Sequence, residues 1–172
     1  MTKLYLLFFF FFFILSLTNI VIAKENEVTT RTNLFSKERY GIRLHRKGDY
    51  KRAYKKLYET ATWGLKDSQY FLAIMYLKGQ YIKQDIIIGM GLLAVANEAD
   101  VKERNELFEN IYASLSDKQR KQVDVKRIDY IGKFGMKVKH LKCSKSFDVG
   151  SRRPVVNCEH YMYHVGGHFE ID

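Results

Sequence analysis

A chain of 172 residues with 47% hydrophobic content is long enough to bury a single core, and one compact domain is expected. Its 29 Lys and Arg against 19 Asp and Glu give a formal net charge of +10 at pH 7, which favours acidic partners or anionic surfaces over basic ones. There is no Gly-x-Ser-x-Gly turn and no phosphate-cradling glycine motif, so a serine hydrolase and a nucleotide-binding enzyme are both unsupported.

The amino terminus reads as a compartment signal. Lys3 precedes an unbroken apolar run from Leu4 to Leu15 that includes six consecutive phenylalanines, Phe8 to Phe13. Val21 and Ala23 then occupy the small-residue positions of a cleavage site, and cleavage after Ala23 is expected. An uncleaved anchor is the rival reading, since a membrane span needs roughly 20 apolar residues. Ser16, Thr18 and Asn19 thin the run where a signal's cleavage region begins, which favours the signal. No cysteine follows the apolar core, so a bacterial lipid anchor is not expected. The mature protein is expected to be periplasmic or secreted, with no transmembrane span after cleavage.

From Asn33 the pattern is helical, with Tyr40, Gly41 and Leu44 on one side, and Gly48 and Asp49 turn the chain. Asp49 is a plausible cap for a second helix carrying Tyr50, Ala53, Tyr54, Leu57 and Ala61 at helical spacing, stopped by Gly64. Asp67 or Ser68 can cap a third, in which Leu72, Ala73, Met75 and Tyr76 form an apolar stripe ending at Gly79. Asp85 can cap a fourth, Ile86 to Ala96, which is apolar almost all round and therefore the expected centre of the fold. Gly89 and Gly91 inside it each cost up to about 1 kcal/mol relative to alanine. Close helix contact explains Gly89; the sequence offers no reason for Gly91. A fifth helix is expected over roughly Val101 to Ser114, with Leu107, Ile111 and Leu115 aligned. Ser116 and Gln119 have the spacing of a capping box for a sixth, whose inner face would be Val123, Ile128, Ile131 and Phe134, ended by Gly132 and Gly135.

Beyond Met136 the pattern changes to short alternation, KVKHLKC and VVNCEHYMYHV, consistent with two extended segments. Cys143 and Cys158 permit complete pairing in an oxidising compartment, and closing a loop of that size stabilises by about 3 kcal/mol. A catalytic cysteine is the weaker alternative, because neither residue sits in a Cys-x-x-Cys or beside an obvious base.

Asp49 and Asp85 lie 36 positions apart, as do Ala53 and Gly89, and a fixed period of this size marks a helical solenoid. In detail, Gln69, Tyr70, Leu72, Ala73, Met75, Tyr76, Gly79, Ile82, Asp85, Gly89, Leu92 and Ala96 resemble the Sel-one-like repeat, a relative of the tetratricopeptide repeat. The preceding unit, with Gly41, Leu44, Gly48, Asp49, Tyr50, Ala53 and Leu57, looks closer to a tetratricopeptide repeat. Ala73 stands where the family usually has glycine, Tyr81 replaces the second loop glycine, and Leu92 occupies the usual tryptophan place. The resemblance covers about Tyr40 to Asp100. It implies an all-α fold, a short α–α solenoid of about six helices, here followed by a small disulfide-bonded extended tail. The expected organisation is a signal peptide over 1–23, a helical repeat domain over 24–135 and a basic tail over 136–172. The tail CSKSFDVGSRRPVVNC also looks like short disulfide loops at the ends of small exported bacterial proteins, a likeness that transfers no function.

Proteins resembling this family are chiefly non-enzymatic scaffolds and adaptors, and some exported bacterial members act as regulators or as immunity proteins that neutralise a toxin. No catalytic residue and no cofactor are expected. A solenoid binds along the surface lined by the first helix of each pair. The partner-binding candidates are accordingly Arg39, Arg43 and Arg46 on the first helix and Gln69, Tyr70 and Lys78 on the third. Arg152 and Arg153 join them, in a loop that the disulfide would pin. An unknown protein, acidic in character, is the expected partner. An envelope component, anionic lipid or cell-wall polymer, is the alternative for the basic stretches around Arg43–Lys56 and Lys118–Arg153, and export argues against nucleic acid. A solvated face is the bland reading of the same charges. His160, His164 and His168 are weak candidates for a metal site and, through it, a hydrolase, although no His-Glu-x-x-His pattern appears.

Overall fold

The fold is described from a computed structural model, which defines residues 33–147 and 153–160. The expected signal 1–23, Arg152, His164 and His168 lie outside the described residues. Two units are distinguished, Met1–Ser36 and Lys37–Asp172, and all of the architecture below except residues 33–36 belongs to the second. Helix α1 spans residues 33–46, α2 Tyr50–Thr62, α3 Lys66–Lys78, α4 Ile86–Ala96, α5 Lys102–Ser114 and α6 Asp117–Phe134. A 3₁₀ turn, Asn97–Ala99, follows α4, and strands β1 (Leu141–Phe147) and β2 (Pro154–His160) close the described chain.

Capping chemistry sets most of these boundaries. Asp49 accepts from the Arg52 amide at 3.2 Å and Asp85 from the Ile88 amide at 2.9 Å, while Ser116 and Gln119 form the expected reciprocal box. Gly79 ends α3 in the left-handed region at φ 65°. The start of α3 departs from expectation. Its cap is Leu65, with no side-chain bond, because Asp67 and Ser68 turn inward to other partners.

The helices stack as three pairs, which makes the molecule a short α–α solenoid. In the first pair, Gly41 brings α1 so close to α2 that an added Cβ would lie 3.0 Å from the Leu57 side chain. In the second, Gly89 meets Leu77 at the loop end, and Lys66 meets Glu98 at the other, so α3 and α4 run antiparallel. In the third, the Tyr112 hydroxyl donates to Asp124 at 2.9 Å across α5 and α6. The core runs through all three pairs, from Leu57 and Leu72 to Leu92, Tyr130 and Phe134.

Two sequence expectations fail on α6. Val123 and Phe134 are buried as expected, but the third inward residue is Tyr130, whereas Ile128 is 69% and Ile131 37% exposed. Phase is the cause: Val123, Tyr130 and Phe134 recur at seven and four residues on one face, and Ile128 falls on the opposite one. Gly132 lies inside the helix, which ends at Phe134 with Gly135 as its cap. The same packing accounts for Gly91, since a Cβ there would stand 2.7 Å from Lys126 Cγ and 3.0 Å from the fully buried Tyr130 ring. That glycine is where α6 crosses α4.

The strands form an antiparallel hairpin in which Cys143 pairs directly with Cys158, and the two are disulfide-bonded. Strand β1 begins at Leu141 instead of within the Lys137–His140 stretch, which forms turns. A second, smaller core of Ala99, Val101, Leu141, Val156 and Cys158 seats the hairpin on the helical domain.

Candidate partner-binding face and the polar seam behind it

The first four residues of α3, Lys66, Asp67, Ser68 and Gln69, are all buried, which is unusual for such side chains and costly unless each is paired. Each reaches a different element. The Lys66 ammonium, wholly buried, donates to Glu98 at 2.8 Å and to the Gln69 amide oxygen at 3.0 Å. Asp67 accepts from Arg104 of α5 at 2.5 Å and from the Val156 amide of β2. Ser68 donates to Glu38 of α1 through both its amide and its hydroxyl, each at 2.9 Å, and its hydroxyl lies 2.6 Å from that of Thr60. The Gln69 amide donates to the carbonyls of Ala61 and Phe134, both at 3.1 Å.

This seam ties the starts of α1, α3 and α5 together and anchors the hairpin through Asp67. Its electrostatics follow from burial. Desolvation, reinforced by the charge of Asp67, raises Glu38 to about 8, despite the two bonds from Ser68 that favour the anion. Desolvation lowers Lys66 to about 8, against the pull of Glu98. Sequence reasoning missed the seam, because a polar run after Gly64 reads as a helix cap. Gln69, expected on the binding surface, is fully buried and holds backbone carbonyls; it has no surface to offer a partner.

The seam holds α1 and α3 side by side and in parallel, and their outer faces carry the remaining candidates. Arg39, Arg43 and Arg46 are exposed on α1, and Lys78 is exposed at the end of α3. Arg43 lies over the Tyr40 ring at 5.3 Å, and Arg46 reaches across to the Phe71 ring of α3 at 5.8 Å. Among the described residues, none of the three arginines has a carboxylate within ion-pair distance. Tyr70 is half-buried under the Arg104 guanidinium, 4.5 Å from its ring centre, so it supports the face from behind.

His45 is half-buried at the end of this face. Its ring is wedged between Tyr50 and Phe71 and bonded to Gln80 at 2.9 Å. Burial lowers its pKa first, the Gln80 bond opposes this, and the charges of Lys78 and Arg46 lower it further. Arg153 is exposed just before β2. His160 ends β2. Among the described residues no group of three or more His, Cys, Asp or Glu could hold a metal ion, and no helix is long and apolar enough to cross a membrane.

No protein-family model matches the chain, and no curated protein matches it. Among solved structures, the chain is similar to the crystal structure of a protective antigen present in uropathogenic Escherichia coli strains and displaying an SLR fold. The identity is 22%, the TM-score is 0.45, and the match covers 58% of this chain and 22% of that one. The chain thus spans about a fifth of that protein's length.

Proposed function

We propose that this protein is an exported, non-enzymatic helical-repeat module that binds an acidic segment of another protein along the outer face of α1 and α3, as an adaptor, regulator or toxin-neutralising partner. One observation carries the reading: Arg39, Arg43 and Arg46 are exposed and without a carboxylate partner among the described residues, and two of them have their guanidinium over an aromatic ring, at 5.3 and 5.8 Å from its centre. A guanidinium held over a ring loses less freedom on binding, and its planar fork suits carboxylates. The Sel-one-like resemblance supports the same reading, because proteins resembling that family are chiefly non-enzymatic scaffolds and adaptors.

Anisotropy titration with a labelled peptide rich in Asp and Glu tests this. Binding that weakens with salt, and falls at least about tenfold in Arg43→Glu/Arg46→Glu, is the expected result. A double variant that binds as tightly as the parent would remove the proposed face.

A further inference from the structure

The outer side of α6 carries an apolar face that nothing in the described structure covers. Val125 and Ile128 are each 69% exposed, and Ile131 is 37% exposed, while Gly132 beside them has no atom within 4 Å of an added Cβ. This is the last helix among the described residues, a position where a solenoid ordinarily presents a polar cap to water. The charges along the helix decide what fits there. Lys118 and Lys121 stand on the same outward strip, with no carboxylate in ion-pair reach among the described residues, and Asp129, paired with Lys133 at 3.1 Å, borders it two turns on.

We propose that this face binds a second copy of the chain, two α6 helices packing antiparallel about a two-fold axis at Val125. In that arrangement the two Val125 side chains meet at the axis, and Ile128 lies within a turn of it on each side. Lys121 of each copy comes level with Asp129 of the other. Lys118 comes level with Gly132, where the missing side chain leaves room for its stem. The face is therefore complementary to itself in shape and charge, as a two-fold interface requires. An anionic bilayer would attract the lysines but would meet Asp129 within the same strip. One helix against another buries less than the roughly 1,200 Å² below which complexes are weak and transient, so association is concentration-dependent. The inference is independent of the α1–α3 face.

Sedimentation equilibrium of the purified protein over a wide concentration range tests it. The parent protein is expected to show a monomer–dimer equilibrium, and Ile128→Glu to weaken it at least tenfold without altering the far-ultraviolet circular dichroism. Lys121→Asp should weaken it as well, and Lys121→Asp/Asp129→Lys should restore it. Val125→Cys should form an intermolecular disulfide under mild oxidation, and Arg127→Cys, off the strip, should not; this readout stands even if Ile128→Glu fails to fold. A parent protein that stays monomeric throughout, a double charge swap no better than Lys121→Asp alone, or monomers that instead sediment with phosphatidylglycerol vesicles in an Ile128-dependent way would each overturn the proposal.

Discussion

The ionisable side chains with the largest consequences are those of the buried seam. Glu38 has its proton affinity raised from 4.5 to about 8, so between those values the folded chain binds a proton that the unfolded chain has released. Stability from this group is complete below about pH 4.5 and is lost as pH rises through about 8. Glu38→Gln keeps an oxygen for Ser68 and removes the titration. Urea unfolding at a series of pH values should show its stability declining less between about pH 5 and 8 than the parent's. Lys66 has the opposite sign: lowered to about 8 from 10.5, it is less protonated in the fold, so its contribution improves as pH rises across that interval. Arg104 is the second residue of consequence, since its removal strands the buried Asp67. Arg104→Leu should cost about 3–5 kcal/mol in denaturant unfolding, whereas Lys102→Ala, which breaks an exposed pair with Glu106 at 3.8 Å, should stay within about 0.5 kcal/mol.

At the scale of helices, the three glycines of α4 and α6 separate propensity from packing. All three are helical, so intrinsic preference alone would have alanine stabilise each by up to about 1 kcal/mol. Gly89 faces the Leu77 side chain at 2.7 Å and its backbone nitrogen at 3.2 Å, and Gly91 faces the Tyr130 ring; Gly132 faces open space. Gly89→Ala and Gly91→Ala should therefore each destabilise by about 1–3 kcal/mol, while Gly132→Ala should stabilise by about 0.5–1 kcal/mol, as thermal unfolding would show. The element boundaries were legible because Asp49, Asp85 and the Ser116–Gln119 box are local signals that act within one turn. The inner face of α6 was not. Val123, Ile128 and Ile131 compete with Val123, Tyr130 and Phe134 as apolar sets, and only the position of α4 selects the second.

Across the whole molecule, the hairpin is joined to the solenoid by a small apolar cluster and by the Val156 amide on Asp67, with the disulfide holding its strands together. Reducing Cys143–Cys158 should cost about 3 kcal/mol in the chain-entropy account. Because the larger core contains no residue of the hairpin, hydrogen exchange should speed up in β1 and β2 while the amides of α3 and α4 stay protected. Of the expected binding residues, Arg39, Arg43, Arg46 and Lys78 lie exposed on α1 and α3. Gln69 does not, because its amide is buried against the carbonyls of Ala61 and Phe134 at the ends of α2 and α6. By itself the sequence determined the six helices, the caps at Asp49, Asp85 and Ser116, the repeat spacing and the paired cysteines, all of which rest on contacts between residues close along the chain or on covalent pairing. Only the tertiary structure decided that a polar run turns inward while Val125 and Ile128 turn out, since periodicity fixes which residues share a face and the neighbouring helices fix which face is covered.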